Sequence, residues 1–103
     1  MDNKKRNLSR LLHLDDYCVV TFPTTSQALK GEKAMKEREF MFVMMPTPRE
    51  VSTSCGLAMK LIPGDVEECC ETLKSFGVEI AGVFRITKQG SIKRVEVLDQ
   101  AQK

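Results

Sequence analysis

Tryptophan is absent from this 103-residue chain, and tyrosine and histidine occur once each. With aromatics at 6%, a base-stacking surface is excluded: Tyr17 stands alone beside Val19 and Lys60, where such a platform needs two or three rings. The single histidine, His13, sits in a polar stretch without partners, so a Ser-His-Asp set is excluded. Zinc is disfavoured as well, because the cysteines show no C-x₂-C spacing. No Gly-rich phosphate loop and no carboxylate pair at useful spacing occurs. Charge of one sign is also lacking: 16 basic residues face 14 acidic ones, a net charge of +2. No global field therefore recruits nucleic acid or an anionic membrane. No apolar run approaches the roughly 18 to 20 residues of a membrane span, and no repeat or low-complexity segment is found.

What remains is a composition of 42% hydrophobic and 29% charged residues, that of an ordinary globular domain with one two-layer core. Four cysteines are present, two of them adjacent at Cys69 and Cys70. Lys4-Lys5-Arg6 precedes Leu8, Leu11, Leu12 and Leu14, but Arg10 and His13 interrupt that cluster and no small-residue cleavage site follows. A secretory signal is not expected, which points to a reducing cytoplasm with all four thiols free.

Taken in order, residues 1–16 read as a flexible N-terminal extension. A domain over residues 17–86 follows, and residues 87–103 form either a tail or an edge strand. Tyr17 to Phe22 alternates as a first strand, with Cys18, Val20 and Phe22 on one face. Pro23 stops it, and Thr24 with Gln27 forms a capping-box opening to a helix reaching about Glu39. That helix turns Ala28, Leu29, Gly31 and Met35 inward. Phe40 to Met45 is the second strand, ended by Pro46. Leu57 to Ile62 is the third, with Leu57, Met59 and Leu61 on one face. Pro63-Gly64-Asp65 is a turn, with Asp65 as the N-cap of a second helix carrying Val66, Cys69, Cys70, Leu73 and Phe76. Gly77 ends that helix in a left-handed conformation. Val78 to Ile86 is the fourth strand, with Val78, Ile80, Phe84 and Ile86 inward.

This order, βαββαβ, predicts an α+β ferredoxin-like sandwich with two helices on one face of a four-stranded antiparallel sheet. An additional C-terminal edge strand is allowed, and such an edge invites pairing into a homodimer.

Between the second and third strands lies Pro46-Thr47-Pro48-Arg49-Glu50-Val51-Ser52-Thr53-Ser54-Cys55-Gly56. In the 4-1-3-2 strand order of this fold, Cys55 and Gly56 lie at the sheet edge where Pro23, Thr24 and Thr25 open the first helix. A helix N-terminus offers unpaired N–H groups and a partial positive charge, both of which favour a thiolate. Arg49 adds a cation, Ser52, Thr53 and Ser54 add hydroxyl donors, and Gly56 leaves room for close approach. On pattern alone Cys55 reads more readily as a small buried hydrophobe at the end of an inward-facing strand row, since buried free cysteine is common. Cys18, Cys69 and Cys70 fit the core rows of their elements. Met41, Met44, Met45 and Met59 read as core filling.

The segment Tyr17-Cys18-Val19-Val20-Thr21-Phe22-Pro23-Thr24-Thr25, with Ala28-Leu29 and Glu32-Lys33, followed by Pro46 through Ala58, resembles a small bacterial selenium/sulfur carrier-like domain family. The resemblance spans about Tyr17 to Ile86 and rests above all on the Pro-Arg-Glu-Val-Ser-Thr-Ser-Cys-Gly-Leu-Ala run. It implies that Cys55 holds sulfur or selenium as a persulfide or selenosulfide and passes it on, with no permanent cofactor. It implies a cysteine desulfurase-like donor or a sulfur-relay-type carrier protein as partner, acting in trans, and a carrier rather than a turnover enzyme. One departure from the family pattern is Glu39-Phe40-Met41, where Gly-Val or Gly-Ile is expected before the second strand. The alternative reading of the same loop is a non-catalytic module that binds a small anion or metabolite.

Overall fold

The computed structural model of the protein describes residues 15–49, 51 and 56–100. Its elements are β1 (Asp16–Thr21), α1 (Thr25–Glu37), β2 (Val43–Pro46), β3 (Leu57–Leu61), α2 (Val66–Ser75), β4 (Gly82–Gln89) and β5 (Ile92–Gln100). The result is a mixed α+β fold with two helices and one antiparallel sheet ordered β2-β3-β1-β4-β5. Five strands replace the four expected, because the stretch read as tail or edge strand pairs with β4 from Gln89↔Ile92 to Gly82↔Gln100. β1 lies between β3 and β4, antiparallel to both.

The alternation of β1 sorts two apolar clusters. Cys18, Val20 and Phe22 join Ala28, Ala34 and Met35 of α1, Met59 and Leu61 of β3, and Cys69 and Leu73 of α2. On the other face, Tyr17, Val19, Ala58 and Ile86 form a second cluster, with Met45 and Val95 at its margin. Tyr17 and Val19 are only 3% and 0% exposed, so they do not present an open face. Lys60, also buried, places its Nζ 4.2 Å from the centre of the Tyr17 ring, a cation–π contact that keeps the charged head of a sheet lysine against an aromatic surface.

Several expected boundaries and faces change. Leu29 is 52% exposed; the buried stripe of α1 is Ala28, Gly31, Ala34 and Met35, and Leu29 falls almost opposite it on the helical wheel. β2 begins at Val43 rather than Phe40, since its pairing with β3 starts at Val43↔Lys60. β4 begins at Gly82 rather than Val78. Val78 and Ile80 do pack on the helix-side core, but the chain passes through Ala81 before the ladder starts, and Val83 then takes the inward role. Phe84 and Ile86 pair with Val19 and Tyr17 and so belong to the other face. Asp65 makes no side-chain cap bond to α2, because Pro63–Asp65 forms a 3₁₀ turn that runs directly into the helix.

Both helices end in Schellman motifs. In α2, Val78 N–H donates to Leu73 O at 2.9 Å and Gly77 N–H to Lys74 O at 3.0 Å, with Gly77 at φ 78°. In α1, Phe40 N–H donates to Met35 O at 3.0 Å and Glu39 N–H to Lys36 O at 3.1 Å. There the left-handed position, φ 57°, is held by Glu39. Glu39 begins the Glu39-Phe40-Met41 stretch in which a glycine entry to the second strand is expected from the resemblance.

Candidate functional site

The loop containing Cys55 is closed at its neck by the β2–β3 ladder. Pro46 pairs with Leu57, and one step further Thr47 N–H donates to Gly56 O at 3.1 Å. Inside the loop, Val51 N–H donates to Pro48 O at 3.1 Å, and the Val51 side chain is 4% exposed. Buried Val51 pins one turn of a loop whose Arg49 and Gly56 are exposed. Glu50, Ser52, Thr53, Ser54 and Cys55 lie outside the described residues, and the expected placement of Cys55 beside the start of the first helix falls there with them.

The neighbouring helix start is well defined. Thr24 is the N-cap of α1, extended at φ −142° and ψ 162°, and its Oγ1 accepts from Gln27 N–H at 3.2 Å. Gln27 does not complete a capping box; its Oε1 instead accepts from Glu79 N–H at 2.8 Å, tying α1 to the segment that leads into β4. The first turn of α1 contains no acidic residue, while Lys36 occupies its last turn and pairs with Glu32 at 3.5 Å. The first turn of α1 itself thus sets no carboxylate against the positive end of the helix dipole. Thr24 and Thr25 are both exposed.

Strand register relates the two features. Thr21 pairs with Ala58, and continuing that antiparallel register by two residues sets Gly56 level with Pro23. The loop neck and the α1 N-terminus therefore occupy the same end of the sheet, and the structure brings Gly56, Thr24 and Thr25 to that end.

The other three cysteines are free thiols in settings that suppress the thiolate. Cys18 is 1% exposed and burial pushes its pKa up to about 11. Cys69 is fully buried, and burial pushes it up to about 12; its Sγ lies 3.8 Å from Met35 Sδ and 3.9 Å from Met59 Sδ. Cys70 is half-buried and is also raised, chiefly by burial, with Lys74 acting in the opposite sense. A protonated thiol is a poor nucleophile. Among the described residues, no group of three or more His, Cys, Asp and Glu side chains is arranged to hold a metal ion.

A family model described as "Putative Se/S carrier protein-like" matches residues 17–85. The chain belongs to this family. Neither a curated protein nor a solved structure matches it. The family match runs through β1, α1, the Cys55 loop and β3 and stops within β4, leaving β5 as an addition outside the matched region. No helix among the described residues is long and apolar enough to cross a membrane.

Sequence reasoning missed two features. A cavity of about 430 Å³ opens beside Pro23, lined by Cys70, Lys74, Val78, Ile80 and Asp99 among others; it depends on the late start of β4, which periodicity does not reveal. Arg85 Nε and Nη2 grip the Asp16 carboxylate at 3.0 and 2.8 Å, which holds the Asp16 carboxyl below its ordinary range. Their separation of 69 residues leaves no local signal.

Proposed function

We propose that this Se/S carrier-like family member is a chalcogen carrier whose working group is Cys55. The observation that carries the reading is the family match across the Cys55 loop, and the suppressed thiolates of Cys18, Cys69 and Cys70 favour the remaining cysteine. The Cys55 thiolate attacks the terminal sulfur of a donor persulfide. A new S–S bond forms on Cys55, the donor S–S bond breaks, and the donor leaves as a thiolate. An acceptor thiolate repeats the exchange on the terminal sulfur of Cys55, so the sulfane sulfur moves with no net oxidation. Selenium follows the same route as a selenosulfide.

Arg49 and the α1 N-terminus, with Thr24 and Thr25, stabilise the anion, while Ser52, Thr53, Ser54 and Gly56 shape its cradle. A cysteine desulfurase-like protein is the donor class, and a reducing cytoplasm suits free thiols. In the same reading β1–β4 with the two helices form a ferredoxin-like unit, and β5 is an addition to it.

The test is mass spectrometry of the protein after incubation with a cysteine desulfurase and cysteine. The expected result is a gain of one sulfur atom, released by dithiothreitol and lost in Cys55→Ser. It should persist in Cys70→Ser. No adduct, or an adduct that survives Cys55→Ser, overturns the proposal.

A further inference from the structure

β5 is the structure's long unpaired edge. It runs from Ile92 to Gln100 and pairs on one side with β4, while its outer side meets no other strand among the described residues. Ile92 is 69% exposed, Val97 55% and Leu98 43%. The opposite edge is guarded differently: β2 is short, ends in Pro46, and its Val43, Met44 and Met45 are half-buried. A long edge carrying exposed apolar side chains is a template for another strand.

We propose that the partner is a second copy of this chain, joined antiparallel through β5 about a two-fold axis centred on Val95. In a continuous sheet made by such an axis, residues opposite each other must share a face, so the axis passes through a residue and not between two. The regular part of β5 ends at Val97, because the ladder to β4 shifts register between Val83↔Asp99 and Phe84↔Val97. Within that regular part the charge sequence is selective. An axis at Lys93, Arg94 or Glu96 sets each of these residues against its own copy. An axis at Val95 sets valine against valine and places Arg94 opposite Glu96 twice, once on each side.

The same register sets exposed Val97 opposite Lys93 on the other face, once on each side. Arg94 and Glu96 pair within their own subunit with Thr87 and Arg85 of β4, so they lie on one face and are exposed along it. Opposite charges directly across a strand pair stabilise it and like charges destabilise it. The surface is self-complementary, as a two-fold interface requires. The joined sheet would hold about ten strands, within the range of open sheets.

The test is sedimentation equilibrium of the full chain across roughly 1 to 200 µM, since a compact edge-to-edge interface is expected to dissociate in the micromolar range. Wild-type protein is expected to dimerise, less tightly as salt rises. Arg94→Glu sets carboxylate against carboxylate on both sides of the axis and is expected to weaken the dimer roughly tenfold or more. Glu96→Lys sets cation against cation at the same two places and does the same. Mixed together, the two variants restore opposite charges at both places and are expected to form a heterodimer of near wild-type affinity. Circular dichroism establishes that each variant is folded; if Glu96→Lys is not, Glu96→Gln replaces it in the mixture, which should still dimerise more tightly than Arg94→Glu alone. A wild-type chain that stays monomeric, an Arg94→Glu chain that dimerises like wild type, or a folded mixture no tighter than its components overturns the proposal, and the edge is then open to a strand of some other protein.

Discussion

Glu39 shows most directly how a single residue can be read in both sequence and structure. The resemblance leads to an expectation of glycine before the second strand, and this chain has glutamate at the turn. Glu39 takes φ 57° in the same hydrogen-bonded motif that Gly77 completes at the end of α2. A side chain in that conformation brings its Cβ close to the following carbonyl, at about 1 to 2 kcal/mol. Glu39→Gly should therefore stabilise the protein by about 1 kcal/mol, part of the relief being offset by the greater freedom of glycine in the unfolded chain. Urea denaturation checks this: the midpoint should rise with an unchanged slope. The opposite change at the equivalent position, Gly77→Glu, should lower it. Cys55, the working group of the proposed carrier, is singled out in the sequence by its neighbours rather than by its periodicity. Pro46, Arg49 and the hydroxyls around it have no use in a core row, whereas Cys18 and Cys69 sit in apolar rows on their strand and helix and are buried there.

At the scale of elements, the sequence was most legible where alternation or a helical stripe was long. Cys18, Val20 and Phe22, and likewise Leu57, Met59 and Leu61, pack on the helix-side core as their parity requires. β4 was less legible because its apolar run, Val78 to Ile86, contains a connector and a strand with different facings. The switch occurs at Gly82, and its cause is visible in the packing. A Cβ added to Gly82 would lie 2.8 Å from Phe84 Cε1, 2.9 Å from Phe84 Cζ and 3.3 Å from Thr21 Oγ1. The Phe84 ring lies over the bare backbone of Gly82 two residues earlier in the strand, covering a position that has no side chain of its own. Gly82→Ala should then cost about 1 to 3 kcal/mol by overpacking. Adding Phe84→Leu, which removes the ring, should recover part of that loss. A double-mutant cycle by thermal denaturation reads the coupling directly; simple additivity of the two changes would show that the ring contact does not set the facing of β4.

At the scale of the whole molecule, the two buried thiols make folding sensitive to alkaline pH. Cys18 and Cys69 hang from opposite layers, one on β1 and one on α2, yet both reach the same core. Burial raises their folded-state pKa values to about 11 and about 12, from an ordinary value of 9.0. Below about pH 9 both thiols are protonated in the folded and the unfolded chain, and their contribution to stability is fully present. Between about pH 9 and 11 the unfolded chain gives up these protons while the folded chain retains them. Stability must therefore fall as pH rises, by up to about 1.4 kcal/mol per pH unit for each thiol. Cys70, half-buried and raised in the same direction, adds a smaller contribution of the same sign. Urea midpoints measured from pH 7.5 to 10.5 should decline above about pH 9 in the wild type. Cys18→Ala should be less stable at neutral pH, because it leaves a cavity, yet its decline should be shallower by the share of one thiol. A decline of equal steepness in Cys18→Ala would assign the alkaline sensitivity to other groups.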